Sequence, residues 1–160
     1  MMLITHASSS LSASLVQTLN NHNFNYLVVT DDDPEWKPPT GWHIQAHLLP
    51  TPLPDWFAHN QQELEFAFCL DETDSAANDV HFQILWRQCI DHQVPLIFRT
   101  TAARSAWIAE QSSAPFFWAG LRVAHSSAPA VTQAAYFLVH HRQQSGEFAV
   151  DDVNQNYLRG

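Results

Sequence analysis

Two short polar segments of this chain carry the side chains best suited to nucleophilic chemistry. His6 precedes a run of three serines, Ser8, Ser9 and Ser10, and Thr101 stands in a second hydroxyl pair further along the chain. A hydroxyl beside a histidine base can act as a nucleophile, so His6 and Thr101 are the catalytic candidates. The Gly-x-Ser-x-Gly turn that exposes a catalytic serine is absent. Serines in a turn before a helix also cap its free amides, and we favour that interpretation of the serine run.

The ten histidines raise the question of a metal site, but their spacing matches no metal-binding motif. His43 and His47 would share one face of a helix. On a strand they would lie about 13 Å apart, too far for one tetrahedral ion. We therefore predict no metal site.

The surrounding pattern predicts strands that alternate with helices. Apolar runs predict strands at 3–5, 26–30, 43–49, 64–70, 96–98 and 116–124, and apolar residues at helical spacing predict helices at 11–20, 55–60, 80–92, 102–111 and 130–142. Such alternation is typical of an α/β fold with a doubly wound, mostly parallel sheet of about six strands in a three-layer αβα arrangement. We expect one domain over residues 1–147 and a C-terminal tail over 148–160, formed by a short strand and mobile residues.

Ligands of such sheets bind outside the carboxyl ends of the strands. This places His6 and the serine run, residues 30–33, residues 71–75 and residues 99–101 around any pocket. Arg99 is the cation that we expect there, and its partner would be a bound anion or the Asp71 carboxylate. The acids that follow the second and fourth strands can repel phosphate, recruit a basic partner or form a solvated rim.

The first strand, turn and helix have the outline of a Rossmann dinucleotide-binding element without its glycines. Those glycines permit a tight turn and let the backbone approach the pyrophosphate. Residues 6–12 contain none. Each side chain in this turn occupies space that a pyrophosphate would need, so a dinucleotide would sit farther out or be excluded.

Four segments resemble the NAD-dependent sugar epimerase/dehydratase family of extended short-chain dehydrogenases, most closely the ADP-heptose epimerase type. They are Met-Leu-Ile-Thr at 2–5, Leu-Val-Val-Thr-Asp at 27–31, Gln-Cys-Ile-Asp-His-Gln-Val-Pro-Leu-Ile-Phe-Arg-Thr-Thr-Ala-Ala at 88–103, and Gly-Leu-Arg-Val at 120–123 with the helix that follows it. The third segment is the most specific, because it matches a helix end, a Val-Pro strand entry and a hydroxyl cluster in one register.

The resemblance implies roles for two residues of this chain, and it shows which functional residues of the family have no counterpart here. The ribose-binding acid of the family falls near Asp31, and its catalytic Ser or Thr falls at Thr101. The catalytic Tyr-x-x-x-Lys pair is absent, because the only lysine is Lys37 and the residue four positions before it is Asp33. Without that pair the usual hydride transfer lacks its acid/base.

The chain is also shorter than the family pattern. Only 12 residues separate Ala103 from Phe116, where the family has the long helix bearing the pair, and the substrate-binding portion is largely missing. The chain thus resembles a degenerate, truncated member.

The amino-acid composition argues against two classes of binding partner. A formal net charge of −9 with a single lysine argues against nucleic acid and against an anionic membrane surface. The absence of a signal peptide pattern makes a cytoplasmic location the expectation. Cys69 and Cys89 are expected to be reduced core residues.

These observations lead to one functional hypothesis and two alternatives. The hypothesis is a non-catalytic, epimerase-like Rossmann protein that acts as an interaction or structural module, with a protein partner or a homo-oligomer and no cofactor. The first alternative is a regulatory domain that binds NAD(P), another nucleotide or a nucleotide sugar through Ser8, Ser9, Ser10, Asp31 and Arg99. The second is an enzyme with repurposed chemistry at His6 and Thr101. Trp107, Phe116, Phe117 and Trp118 are candidates for an interface, although core packing is the favoured interpretation.

Overall fold

The structure is a computed structural model that describes most of the chain. The described residues are 1–29, 37, 39, 42, 44–48, 54, 57, 64–111, 116–141 and 144–159. The loop predicted over residues 31–40 and the helix predicted over 55–60 lie almost entirely outside them, and Asp31 does as well.

In the described part of the chain, seven parallel strands form one sheet. They are β1 (Met2–Thr5), β2 (Tyr26–Val29), β3 (Ile44–Leu48), β4 (Phe66–Cys69), β5 (Leu96–Arg99), β6 (Trp118–Arg122) and β7 (Gly146–Ala149). Their order is β3-β2-β1-β4-β5-β6-β7. This is the doubly wound Rossmann order, so the predicted fold class is confirmed. The seventh strand is the short strand expected in the C-terminal segment, and it pairs with β6 in the same sheet.

Five helices whose two ends are both described connect or follow these strands. They are α1 (Ser10–Asn21), α2 (Ala76–His92), α3 (Ala102–Ala109), α4 (Ala128–His140) and α5 (Val150–Arg159). None of them combines the length and the apolarity that crossing a lipid bilayer requires.

The core is divided by the sheet into two apolar clusters. Met2 and Ile4 of β1 belong to the cluster that also contains Leu15 of α1, whereas Leu3 belongs to the cluster that contains Trp86 of α2. Successive strand residues point to opposite faces, so the continuous apolar strand sequence is explained by helices on both sides.

Serine or threonine side chains cap the N-termini of the first four helices, and one of these caps corrects a prediction. The Ser9 hydroxyl accepts a hydrogen bond from the Ser12 amide, as expected for a cap of α1. The apolar spacing predicts helix α2 over residues 80–92. It begins at Ala76 instead, because Ser75 has an extended backbone and accepts from the Asn78 amide at 3.1 Å.

The C-terminal segment also differs from expectation. After β7 the chain forms helix α5 rather than mobile residues, and β7 itself spans the boundary expected between residues 147 and 148. Val150 and Val153 are buried in the cluster that contains Leu15, and Nδ2 of the Asn154 side chain donates to the Ala130 carbonyl at 3.0 Å. The apolar contacts of this helix explain its order, because they offset the entropy of a chain end.

The aromatic residues considered as a possible interface pack in the core. Phe116 is buried with Trp86, while Trp107 and Trp118 are half-buried against the same cluster. Phe117 packs against the opposite cluster. Both cysteines are free and buried. Burial, with a smaller effect from Cys69, raises the pKa of Cys89 well above its ordinary value, so it is a core thiol and not a reactive thiolate.

Candidate functional site at the carboxyl edge of the sheet

The order of the strands changes direction at β1, which lies between β2 and β4. Ligands of open α/β sheets bind in the crevice at such a switch point, outside the carboxyl ends of the strands. Here those ends are Thr5 and Cys69, which are register partners. The side chains that follow these two residues therefore decide what the crevice can hold.

His6 fills the first position of the turn after β1. Its φ of 53° lies in the left-handed region that favours glycine. Its side chain is buried, with Nδ1 3.1 Å from Thr5 Oγ1 and 3.7 Å from Cys69 Sγ. The backbone therefore has a glycine-like conformation, but an imidazole occupies the space that a glycine leaves open.

Ser9 and Ser10 of the serine run form hydrogen bonds within the protein. Besides capping α1, the Ser9 hydroxyl donates to the Leu70 carbonyl at 2.6 Å. Ser10 Oγ donates to the Glu72 carboxylate, while Ser8 is exposed. Capping, which the sequence favoured for these serines, is thus present for Ser9, and Ser10 serves as a donor to the loop after β4.

Glu72 is the residue whose role the sequence did not reveal. Its Oε1 accepts from the Leu11 amide at 3.1 Å as well as from Ser10, so a carboxylate lies on the first turn of α1. The N-terminus of a helix attracts anions through its free amides and its dipole, and it is the position where a Rossmann fold binds pyrophosphate. In this chain a side chain from residue 72 supplies the anion. The only local signal is that residue 72 follows β4, the strand adjacent to β1.

Arg104 and Asp71 form a buried ion pair beside the crevice. Arg104 Nη1 donates to Asp71 Oδ1 at 2.8 Å and Nη2 donates to Oδ2 at 2.5 Å, which is the bidentate arrangement. Their side chains are 1% and 2% exposed. Arg104 Nε also donates to Asp79 at 3.3 Å, and its guanidinium lies 4.9 Å from the centre of the Phe82 ring. The sequence predicted Arg99 but not Arg104 as the cation of this edge.

Arg99 is bound to the loop after β4. Its Nε donates to the Asp71 carbonyl at 2.5 Å and lies 3.5 Å from Asp71 Oδ1, while Nη2 donates to Asp74 at 2.7 Å. Of the two partners suggested by the sequence, a bound anion and the Asp71 carboxylate, the structure contains the second. The charge of Arg99 is therefore already compensated by the protein.

The charges of this cluster change the pKa of Asp71. Burial alone would raise it, but the hydrogen bonds and charge of Arg104, with smaller contributions from His6 and Arg99, bring the pKa below its ordinary value of 3.8. Burial would also lower the pKa of Arg104, yet the bonds to Asp71 raise it. Both residues are thus charged at neutral pH.

The lowered pKa of Asp71 predicts a loss of stability in acid. A carboxyl group with a lower pKa in the folded state stabilises the fold fully above its unfolded pKa, near 3.8. This contribution declines as the pH falls below that value, because the unfolded state then binds the proton more readily. We expect urea denaturation of the wild type to show this decline. The Asp71→Asn variant should show a shallower dependence on pH in the same range, and an unchanged slope would contradict the assignment.

Thr101 has a structural contact of its own. Its Oγ1 accepts from the Arg104 amide at 3.2 Å and caps α3. The adjacent Thr100 hydroxyl donates to Glu147 of β7 at 2.9 Å, and Ser105 donates to the same carboxylate at 2.5 Å. Thr101 is therefore held against its own helix, while His6 is held against Thr5 and Cys69. A catalytic role for either one stays a prediction.

In the part of the chain that the structure describes, no group of three or more His, Cys, Asp or Glu side chains is arranged to hold a metal ion.

The architecture is shared with enzymes of known structure. UDP-N-acetylglucosamine 4-epimerase from Bacillus cereus aligns with a TM-score of 0.65 and 9% identity, over 92% of this chain and 74% of the enzyme. This chain has the fold of the nucleotide-sugar epimerases. ADP-L-glycero-D-manno-heptose-6-epimerase from Helicobacter pylori aligns at 0.63 and 10%, over 95% and 79%. MoeE5, solved in complex with UDP-glucose and NAD, aligns at 0.62 and 12%, over 95% and 79%.

At these identities the likeness concerns the fold, and it agrees with the family resemblance seen in the sequence. No protein-family model matches the sequence, and no curated protein matches it either. What this epimerase-like domain can bind or catalyse therefore depends on its own residues.

Proposed function

We propose that this epimerase-like Rossmann domain is non-catalytic and acts as an interaction or structural module. The observation that carries the proposal is the Glu72 carboxylate on the first turn of α1. Two carboxylate or phosphate groups cannot share one set of amides without strong like-charge repulsion. A dinucleotide bound in the usual position would have to displace Glu72 and would also meet the side chain of His6.

The chain also lacks the Tyr-x-x-x-Lys pair that acts as acid/base in the hydride transfer of the family, and this supports a non-catalytic role. A Tyr-x-x-x-Lys pair cannot be formed from the single lysine of this chain. The two arginines near the crevice are bound to Asp71 and Asp74, so they are not available as phosphate ligands unless those bonds break. Both the cofactor position and the catalytic pair are thus altered, which favours a role that needs neither.

A nucleotide titration tests this proposal. We expect NAD, NADH, NADP, ADP and UDP-glucose to leave the thermal unfolding of the wild type unchanged, because Glu72 occupies the helix N-terminus. A ligand present at 100 times its Kd would stabilise the fold by roughly 2.7 kcal/mol, so binding would be readily seen. A specific, saturable stabilisation of the wild type would overturn the proposal.

The Glu72→Gln variant sharpens the test, with Glu110→Gln as its matched control. Glu110 is an exposed glutamate at the end of α3, so its replacement changes the net charge equally without touching α1. If the two variants respond to nucleotides as the wild type does, a dinucleotide is excluded by more than the charge of Glu72. If only Glu72→Gln binds, the carboxylate itself excludes the ligand.

One observation favours the alternative of a regulatory nucleotide or nucleotide-sugar domain. Glu72 is exposed, so its side chain can turn away from α1 without breaking the core, which would uncover the Leu11 amide. In this function Ser8, Ser9, Ser10, Asp31 and Arg99 would contact the ligand. Stabilisation of the wild type by one nucleotide, lost in Arg99→Gln, would establish the alternative.

A further inference from the structure

A cleft lies between α1 and the first turn of α4, on the side of α1 that faces away from the core. Its volume is about 550 Å³, which is within the range of small-molecule sites, roughly 300–1,000 Å³. It is separate from the carboxyl-edge site and shares no residue with it among those described. The described residues that line it are Ala13, Ser14, Gln17, Asn20, Pro39, Trp42, Ala128 and Pro129.

The two helices that frame this cleft are anchored to the same core. Leu15 of α1 and Val131 of α4 are buried in one apolar cluster. Thr132 Oγ1 donates to Ser14 Oγ at 2.7 Å, which ties the two helices together beside the cleft. The walls on α1 and α4 are therefore in place before a ligand binds, and little has to be ordered on binding.

The lining of the cleft carries no charge among the described residues, although the chain has a formal net charge of −9. An ionic ligand would lose part of its hydration here without meeting a group of opposite charge, which is costly. The polar groups of the lining are one hydroxyl and two carboxamides. The cleft therefore suits a neutral ligand that both donates and accepts hydrogen bonds.

The polar side chains of α1 are arranged for such a ligand. Gln17 and Asn20 are three positions apart, so they lie on one face of the helix. Asn20 Oδ1 accepts from the Tyr26 hydroxyl at 2.7 Å, which fixes the orientation of this carboxamide. Ser14 Oγ accepts from Thr132, so its own proton remains available to a ligand. Each carboxamide offers a donor and an acceptor side by side.

Trp42 supplies an aromatic wall of the cleft. Its ring is half-buried against the cluster that contains Leu15, and it also lines the cleft. The Trp42 amide donates to the Pro39 carbonyl at 3.4 Å, which keeps these two residues together. Pro129, exposed in the first turn of α4, adds another apolar ring. An indole offers a flat apolar face to C–H groups and a polar N–H at its edge.

We propose that this cleft binds a neutral saccharide. In the complex the C–H face of one sugar ring packs on Trp42, and Gln17, Asn20 and Ser14 bond to its hydroxyls. A sugar is uncharged, has an apolar face and carries adjacent hydroxyls that match a carboxamide. A proline-rich peptide fits less well, because it docks in a groove lined by several aromatic rings, and Trp42 is the single aromatic residue of the described lining. The inference goes beyond the interaction role proposed above and does not depend on it.

A titration followed by heteronuclear NMR tests the inference, because the side-chain amides of Gln17 and Asn20 and the indole N–H of Trp42 report on the cleft directly. The probes are glucose, N-acetylglucosamine, maltose and cellobiose. We expect saturable shifts of these signals with a Kd of roughly millimolar order, as for a small ligand in an open cleft. Glucuronate, which carries a carboxylate on the same ring as glucose, should bind more weakly.

The Gln17→Ala variant is the sharpest test, because Gln17 is exposed and its replacement leaves the core unchanged. We expect it to weaken saccharide binding roughly fivefold, as for the loss of a hydrogen bond. Trp42→Ala should weaken it further, because the stacking surface is removed. Gln155→Ala, the same change at an exposed position of α5, should bind like the wild type.

Unchanged signals with every sugar would overturn the inference. So would binding that Gln17→Ala leaves intact, or binding of glucuronate as tight as that of glucose. Shifts produced by a proline-rich peptide and by none of the sugars would also overturn it and would identify a peptide groove. The reporting signals lie outside the carboxyl edge, so failure of saccharide binding is distinguishable from failure of the proposed function.

Discussion

Replacing Arg104 with methionine is expected to destabilise the fold by about 3–5 kcal/mol, because the buried Asp71 carboxylate loses the two hydrogen bonds that Arg104 donates to it. Arg104 and Asp71 are joined by two hydrogen bonds and are almost completely buried. Arg104 also donates to the Arg99 carbonyl at 2.8 Å, so the backbone at the end of β5 loses a donor as well. Urea denaturation at neutral pH measures the free energy of unfolding.

The double variant Asp71→Asn/Arg104→Met is the control for this prediction. Removing both charges avoids an isolated buried ion, and we expect the double variant to be more stable than Arg104→Met alone. The Arg99→Gln variant should lose less free energy of unfolding than Arg104→Met. Its closer carboxylate partner, Asp74, is exposed and stays hydrated when Arg99 is replaced. Equal losses for Arg99→Gln and Arg104→Met would contradict the central position given to Arg104.

The Trp86→Ala variant is expected to lose a similar amount, about 3–5 kcal/mol, because it removes the centre of the aromatic core. Trp86 is 1% exposed. Its ring lies within 6.2 Å of five aromatic neighbours, which are Phe82, Phe98, Trp107, Phe116 and Trp118. Removing the indole ring leaves a cavity between β5, β6, α2 and α3, and this cavity cannot close unless several of the neighbouring rings move. Chemical denaturation followed by circular dichroism is the measurement.

Two further variants separate packing from other effects at this position. The indole N–H of Trp86 has no hydrogen-bond partner among the described residues, so Trp86→Phe loses volume but no hydrogen bond. We expect it to be clearly more stable than Trp86→Ala. Asp91→Ala, at an exposed site of the same helix, should change stability by less than about 0.5 kcal/mol. A loss below about 1 kcal/mol for Trp86→Ala would show that this cluster does not hold the sheet and helices together.

Local patterns predicted the elements well where the chain is both apolar and clearly bounded. β1, β4 and β5 were located because each is a short apolar run followed by polar residues, and α1 because its apolar residues recur at helical spacing after a serine cap. The start of α2 was missed because Ser75, Asn78 and Asp79 are all residue types that can cap a helix, and the choice of Ser75 depends on the backbone of a loop. Helix α5 was missed because its sequence is strongly polar and its order comes from burying Val150 and Val153 against α4.

Residue types and short spacings are enough to predict the α/β alternation, the loss of the glycine turn and the absence of the Tyr-x-x-x-Lys pair. The side chains that take the place of the glycine turn are brought together by the fold. Glu72 reaches the amide of Leu11 across 61 positions, and Arg104 reaches Asp71 across 33. Such contacts are decided by the parallel sheet, which brings the carboxyl ends of β1, β4 and β5 to one edge. No local pattern records which charged side chains will meet there, since that depends on strand order and on which groups must be paired once water is excluded.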